Sequence, residues 1–501
     1  HTTKKFIGIL NDNEWSIAKN VGAISGYLNK LITNPRYNQL AKDFEGFVRR
    51  LPKGDLALKL AHRAEGGFKG ALTNVGLQPT SKALNESDGR GGYGSPVLFE
   101  EMGIRYLGPI DGHNLPLLVS TLEFAKQCDH PIVIHVLTQK GKGFEAALKQ
   151  PEKFHGLGPY NAVTGETPSA KPGTPPMYQD VMGQTTVKLC QKNTNIVGIT
   201  AAMPTGTGMK HLERAMPERY IDVGIAEEHA VIFAAGMATM GYRPIVAIYS
   251  TFLQRAYDCI HHDVCLQDLP VIFCMDRAGL SANDGPTHHG LFDISYLRCL
   301  PNAVAMAPAN EDELADMMYT ASTLNHPAFI RYPRGTAEGV PLKNEPHLLE
   351  VGKAQIVQSF ANNKKRKVAL FGLGPMNTIA RKAAEMLAAE GYDCAVINPR
   401  FTKPLDGPAH ETYGHEADVV VTLEDHVLMG GYGSAVLELF SEKGVTTPVI
   451  RIGWPDQFVE HATTQDELRK KYGLTAENVV AQVKAKFGDA PAGVKKLVAV
   501  E

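Results

Sequence analysis

Two stretches hold most of the side chains able to do chemistry. The first runs Tyr220-Ile-Asp-Val-Gly-Ile-Ala-Glu-Glu-His-Ala-Val-Ile-Phe-Ala-Ala-Gly236. A short apolar run turns at Gly224 into a helical pattern, and Glu227 and Glu228 fall in its first turn, where the helix dipole favours carboxylates. Ala230, Val231, Ala234, Ala235 and Ala238 then make the helix apolar on most faces, so at least one of the two acids is expected in an interior. A buried carboxyl has a raised pKa and can exchange a proton near neutrality. This segment alone is equally compatible with two acids that merely cap a helix. The second stretch contains Tyr249-Ser-Thr-Phe-Leu-Gln-Arg255, Asp276-Arg-Ala-Gly279 and Asp284-Gly-Pro-Thr-His288-His-Gly290. Arg255, Arg277, Asp284, His288 and later Arg334 each stand where an apolar run gives way to loop or helix. Ligands of open α/β sheets bind at that rim.

The elements that must position these residues are legible from periodicity. Short apolar runs at 195–200, 243–249, 270–275, 302–306 and 327–332 alternate with helical patterns at 177–191, 255–266 and 311–323. That alternation predicts a parallel sheet covered on both faces. Four prolines in 166–176 mark a first linker and 336–351 a second. The division expected is therefore 1–165, 177–335 and 352–501: an α/β protein of three domains, each a mostly parallel, doubly wound sheet. In the last, Gly372-Leu-Gly374 follows a strand, but Asn377 stands where a dinucleotide fingerprint has its third glycine, so the motif does not carry NAD.

In the first domain a strand at 6–10 ends in Asn11-Asp12-Asn13-Glu14, oxygen donors at a strand tip that suit a hard cation such as Mg²⁺, or form a plain turn. Residues 15–67 read as mainly helical. The Gly-, Ser- and Asn-rich stretch at about 77–95 reads as a mobile surface excursion. Gly108-Pro-Ile-Asp-Gly-His113 offers a candidate functional histidine. Lys140-Gly-Lys-Gly-Phe144 offers either a loop or a close backbone approach to a ligand. The chain is expected to start inside a domain, since a strand begins almost at once.

Composition narrows the function. With 501 residues, 44% apolar and 21% charged, the chain is ordinary for a globular protein. A net charge of −2 disfavours nucleic-acid or membrane partners held by bulk charge, leaving phosphate recognition to a few placed arginines. The seven cysteines form no CxxC pair, which fits a reducing compartment. Cys259, His262 and Cys265 have a spacing open to a metal, but a half-buried helix accounts for them better. No apolar run approaches the ~18 residues of a membrane span.

With these blocks in view, the chain resembles the 1-deoxy-D-xylulose-5-phosphate synthase family, thiamine-diphosphate enzymes of the transketolase superfamily. The resemblance covers nearly all of the chain, most specifically DVGIAEEHAVIFAAG, YSTFLQRAYD, DRAG, DGPTHHG, FDISYLRC and RYPRG, with LNDNE, GPIDGH and LEDHVLMGGYGS in support. It implies a transketolase-like fold, thiamine diphosphate and Mg²⁺ as cofactors, and pyruvate and D-glyceraldehyde 3-phosphate as substrates. It also implies a homodimer and a cytoplasmic location, or the plastid stroma in a plant or alga. Glu227 would hydrogen-bond the cofactor's aminopyrimidine, Phe252 would stack on it and Phe144 would lie near the cofactor. Asn13 and the backbone carbonyl of Trp15 would bind Mg²⁺. His288 and His155 would handle protons, a task neutral imidazole suits at pH 7. Tyr249, Arg255 and Asp284 would line the substrate site, and Arg277 and Arg334 would clamp the acceptor's phosphate as planar forks.

The sequence departs from the family in lacking the Gly-Asp-Gly motif that supplies an acidic Mg²⁺ ligand. Phe144 replaces a Tyr, Trp15 replaces a Met, and the Gly-rich stretch before Ser95 is longer than the family's. The readings kept beside this one are another transketolase-type enzyme and a catalytically inactive, truncated scaffold.

Overall fold

The computed structural model describes residues 5–15, 99, 102–168, 171, 173–363, 365–462 and 464–488. The excursion expected at 77–95 and nearly all of the helical stretch expected at 15–67 lie outside them. The chain forms two compact units, His1–Ser169 and Ala170–Glu501.

In the first unit, strands β1 (Ile7–Asp12), β2 (Arg105–Asp111) and β3 (Ile132–Leu137) are parallel in the order β1-β3-β2. Helix α1 (Leu115–Gln127) makes the crossover from β2 to β3, and the Asn114 side chain caps it by accepting from Leu117 N. Leu107, Ile110, Leu117, Ala125, Ile132, Ile134 and Val136 form its core. Asp12 and Asp111 both pair with Leu137, so the three strands end at one rim.

The second unit holds two sheets. The first contains β4 (Ile196–Thr200), β5 (Tyr220–Asp222), β6 (Arg243–Tyr249), β7 (Ile272–Asp276), β8 (Val304–Met306) and β9 (Ala328–Arg331), all parallel. Residues alternate between two buried faces. Ile245, Ala247, Ile272, Cys274 and Ile330 pack against α2 (Tyr178–Lys192) and α5 (Glu311–Thr323). Val246, Ile248, Phe273, Met275 and Phe329 pack against α3 (Glu227–Thr239) and α4 (Asp293–Arg298). The period of two that sends successive side chains to opposite faces explains why these runs are apolar without interruption.

The second sheet has the order β10-β12-β11-β14-β15, with β10 (Gln355–Gln358) antiparallel at its edge beside β12 (Asp393–Asn398). β11 (Lys367–Gly372), β14 (Val419–Val427) and β15 (Val449–Trp454) complete it, with α6 (Met376–Ala389), α7 (Gly407–Glu416), α8 (Tyr432–Lys443), α9 (Gln465–Tyr472) and α10 (Ala476–Phe487) around it. A Cβ at Gly372 would meet Asn377 Cα at 2.7 Å. The glycine of the incomplete fingerprint therefore lets α6 pack closely on its strand. After β12 the chain crosses to the first sheet, where β13 (Phe401–Lys403) joins the edge of β8 antiparallel.

Residues 339–349 run along α5, held by its acids. Glu311 accepts from Gly339 N, Asp312 from Lys343 N, Asp316 from His347 N, and Thr320 Oγ1 from Leu349 N. The helix expected at 255–266 is irregular: tight turns at Gln254–Ala256 pass into widened ones over Ile260–Cys265. His262 there pairs with Asp258 at 3.0 Å. Among the described residues no three His, Cys, Asp or Glu side chains are grouped to hold a metal.

Candidate active site

Strand order places the site. From β4 the chain moves to β5 at the sheet's edge, then returns to β6 on the other side of β4. The C-terminal ends of β4 and β6 thus flank a topological switch point, where open α/β sheets hold ligands. α3, which follows β5, and the turn Ser250–Leu253, which follows β6, both start at that rim.

Glu227 is the first residue of α3 and only 2% exposed, whereas Glu228 beside it faces solvent. Glu227 does not stand alone. Arg255 Nη1 donates to its Oε2 at 3.0 Å, although the arginine side chain is 54% exposed. The structure thus joins two residues expected to serve different ligands. Tyr249 and Phe252 stack with centroids 5.6 Å apart, and the His288 ring meets Phe252 edge-on at 5.3 Å. His288 Nδ1 lies 2.9 Å from Thr287 Oγ1. Burial lowers the pKa of His288, with Arg277 and Arg334 adding to the effect and Asp284 opposing it. Its ring is neutral at pH 7, ready to accept a proton.

Arg277 lies over the Tyr249 ring at 3.7 Å. Its Nη1 donates to Gly206 O at 2.9 Å and to Asp276 Oδ1 at 2.6 Å. Asp284 Oδ2 lies 3.7 Å from Arg277 Nε and 2.9 Å from Arg334 Nη1, and it accepts from Ser281 Oγ at 2.9 Å. A carboxylate oxygen therefore already sits between the two guanidinium groups, which are spaced to share one anion. Gly279 and Gly290 exchange backbone hydrogen bonds at 2.7 and 2.8 Å, fastening the DRAG segment to the loop that carries Asp284 and His288. Burial raises Asp276 to about 6 against the pull of Arg277, and raises Tyr249 to about 12. Asp276 was not singled out by the sequence; its signal is an acid at the last position of a buried strand, next to an arginine.

The remaining candidates belong to the first unit. Asn13 follows β1, and its Oδ1 accepts from Trp15 N at 2.9 Å. Asp12 is buried, with its carboxylate taken by His135 Nε2 at 2.9 Å and Glu14 N at 3.1 Å. Asn13 is half-buried at this tip, between the buried Asp12 and the exposed Glu14. Phe144 packs against Phe154 and Tyr160. Gly141 and Gly143 before it have φ of 82° and 95°, a left-handed backbone that glycine adopts without strain. His155 is exposed, its pKa lowered by desolvation and by Lys140. His113 Nε2 accepts from Gln139 N at 2.8 Å, a contact that ties loop to loop.

The family models matched are 1-deoxy-D-xylulose-5-phosphate synthase over 1–138, the transketolase pyrimidine-binding domain over 174–338 and the transketolase C-terminal domain over 353–479. A 1-deoxy-D-xylulose-5-phosphate synthase of Methylacidiphilum infernorum is 51% identical over 96% of this chain and 71% of its own length. That of Acidobacterium capsulatum is 52% identical over 95% and 71%. Among solved structures, an inactive β4 tetramer of a split-gene transketolase is 31% identical with a TM-score of 0.55, covering 63% of this chain and 99% of its own. A Campylobacter jejuni transketolase, 18% identical with a TM-score of 0.52 over 79% of this chain and 70% of its own, shares the fold. The chain belongs to the 1-deoxy-D-xylulose-5-phosphate synthase family of transketolase-type, thiamine-diphosphate-dependent transferases.

Proposed function

We propose that the protein condenses pyruvate with D-glyceraldehyde 3-phosphate, releasing CO₂ and forming 1-deoxy-D-xylulose 5-phosphate, the first step of the methylerythritol-phosphate route to isoprenoids. The observation that carries this reading is the set of side chains at the C-terminal rim of the sheet: buried Glu227, the Tyr249–Phe252–His288 rings, and two arginines converging on one oxygen. Bound thiamine diphosphate supplies the electron sink for decarboxylation. A buried carboxyl fits an aminopyrimidine, since a desolvated acid shares its proton effectively with a ring nitrogen. Glu227 would hydrogen-bond the aminopyrimidine, and Phe252 offers the flat face. Tyr249, Arg255 and Asp284 line the substrate space. His288 and His155 move protons in and out, and Arg277 and Arg334 hold the acceptor's phosphate.

Mg²⁺ is assigned to Asn13 and the Trp15 carbonyl on the oxygen donors at the tip of β1. A homodimer is assigned to the outer side of α3 and the turn after it, where Ile232, Phe233 and Met240 are exposed. No helix among the described residues is long and apolar enough to cross a membrane, and a cytoplasmic location is the reading that goes with this metabolism. The deciding assay supplies pyruvate and glyceraldehyde 3-phosphate with both cofactors. Labelled CO₂ from carboxyl-labelled pyruvate together with the phosphosugar supports the function. No binding of thiamine diphosphate and neither product favours the inactive scaffold.

A further inference from the structure

Asp276 and Arg277 are neighbours in sequence, and in a continued strand their side chains would point to opposite faces. They pair instead, because Arg277 has φ 59°, in the left-handed region that non-glycine residues rarely occupy. That turn swings the guanidinium back until Nη1 reaches Asp276 Oδ1 at 2.6 Å. The same Nη1 serves Gly206 O, the Tyr249 ring supports the guanidinium at 3.7 Å, and the buried Arg277 Nε, without a hydrogen bond, is turned toward Asp284 Oδ2 at 3.7 Å. Gly206 is needed for this packing, since a Cβ there would fall 1.7 Å from Tyr249 Oη.

Asp276 itself is fully buried at the end of β7, with its second oxygen unpartnered. The charged and titratable groups that act on it are Arg277, Arg334, Tyr249, Tyr332 and Cys274. None is positioned as a substrate group that would need this acid as a base.

We infer that Asp276 is a positioning residue for the acceptor: its carboxylate pins Nη1 of Arg277 against the protein, which holds the guanidinium in place beside Arg334 with Asp284 Oδ2 between them. This rests on reading Arg277 and Arg334 as the phosphate clamp. Positioning and simple charge make opposite predictions, which is what renders the inference testable. Removing a negative charge beside an anion site tightens anion binding if charge alone matters. Removing the group that orients the arginine weakens it.

The probe is inorganic sulfate, an anion with no titration near neutrality. Its binding is followed by calorimetry on the protein loaded with thiamine diphosphate and Mg²⁺, alongside the KM values of both substrates. In Asp276→Ala, sulfate affinity falls and the KM for glyceraldehyde 3-phosphate rises, each about tenfold, while the KM for pyruvate, which carries no phosphate, stays within about twofold. Asp276→Asn, which keeps an acceptor oxygen in place, recovers most of the loss. Sulfate binding that is unchanged or tighter in both variants overturns the inference, as does an equal loss for both substrates. If Asp276→Ala does not fold, Asp276→Glu takes its place: shifting the carboxylate by one methylene must weaken sulfate more than Asp276→Asn does, and the reverse order overturns the proposal. Arg277→Ala separates the two levels. If it weakens sulfate and the Asp276 variants do not, only the positioning role falls. If none of them changes sulfate binding, the clamp reading falls with it.

Discussion

At the scale of single residues the site works through desolvated charge held in pairs. Glu227, the carboxyl proposed to meet the cofactor, accepts from Arg255 at one of its oxygens. Glu227→Gln keeps the shape and removes the exchangeable proton. Its kcat is expected to fall by about 100-fold or more, with the unfolding midpoint little changed, in the pyruvate and glyceraldehyde 3-phosphate assay. Arg334→Ala removes one of the two guanidinium groups on Asp284 Oδ2, and the KM for the phosphorylated acceptor is expected to rise about tenfold with that of pyruvate unaffected. Elsewhere, burial raises Glu424 to about 7 even though Tyr432 N and Gly433 N donate to it. A carboxyl whose folded pKa lies above its unfolded value binds its proton more tightly when folded. Its burial is therefore tolerated at pH 5 and costs stability as pH rises through about 7. Denaturant titrations of Glu424→Gln against the parent should shift in the variant's favour between pH 5 and pH 8, by on the order of 2 kcal/mol.

At the scale of elements, α5 is more than a cover for its sheet. Glu311 and Asp312, which suit its first turn, capture the backbone of 339–349, and Asp316 farther along accepts from both Lys343 Nζ and His347 N at 2.6 Å. Asp316→Ala leaves both donors without that acceptor and should cost about 1–3 kcal/mol in urea unfolding. The start of α9 is fastened locally by a capping box between Thr464 and Glu467. α3 differs from both: Ala226 gives it no side-chain cap, so the entry to the helix depends on tertiary contacts, among them the Glu227–Arg255 pair.

At the scale of the molecule, the second unit couples its two sheets through buried charge. Arg331, the last residue of β9, donates to Asp293 Oδ2 at 3.0 Å and to the Asp425 carbonyl at 3.0 Å, while Ser250 Oγ approaches the same Asp293 oxygen at 3.2 Å. The residue that follows Tyr249 is thereby connected to β14. Breaking such a pair on one side strands a buried charge, so Arg331→Met should destabilise the unit by about 3–5 kcal/mol. The proposed dimer belongs to this scale as well. Ile232→Glu places a charge on the exposed apolar face of α3, and sedimentation should then show a monomer where the parent sediments as a dimer.

What the sequence determined by itself was whatever local periodicity and residue type control. The uninterrupted apolar runs at 243–249 and 270–275 specify strands buried on both faces, and the small residues after Glu227 specify a helix that carries this acid inward. The candidates at strand tips follow from the same pattern, which is why Arg277, Asp284, His288 and Arg334 stand out in the sequence. The tertiary structure alone decided which of them meet. Arg255 reaches Glu227 across 28 residues, and Asp284 settles between Arg277 and Arg334. The positive φ that turns Arg277 back onto Asp276 and the crossing of β13 into the first sheet belong to the same class. Such contacts join segments distant in the chain or depend on a strained dihedral that surrounding packing enforces. Neither leaves a periodic trace in the order of amino acids, so the residues of this site were legible while their partnerships were not.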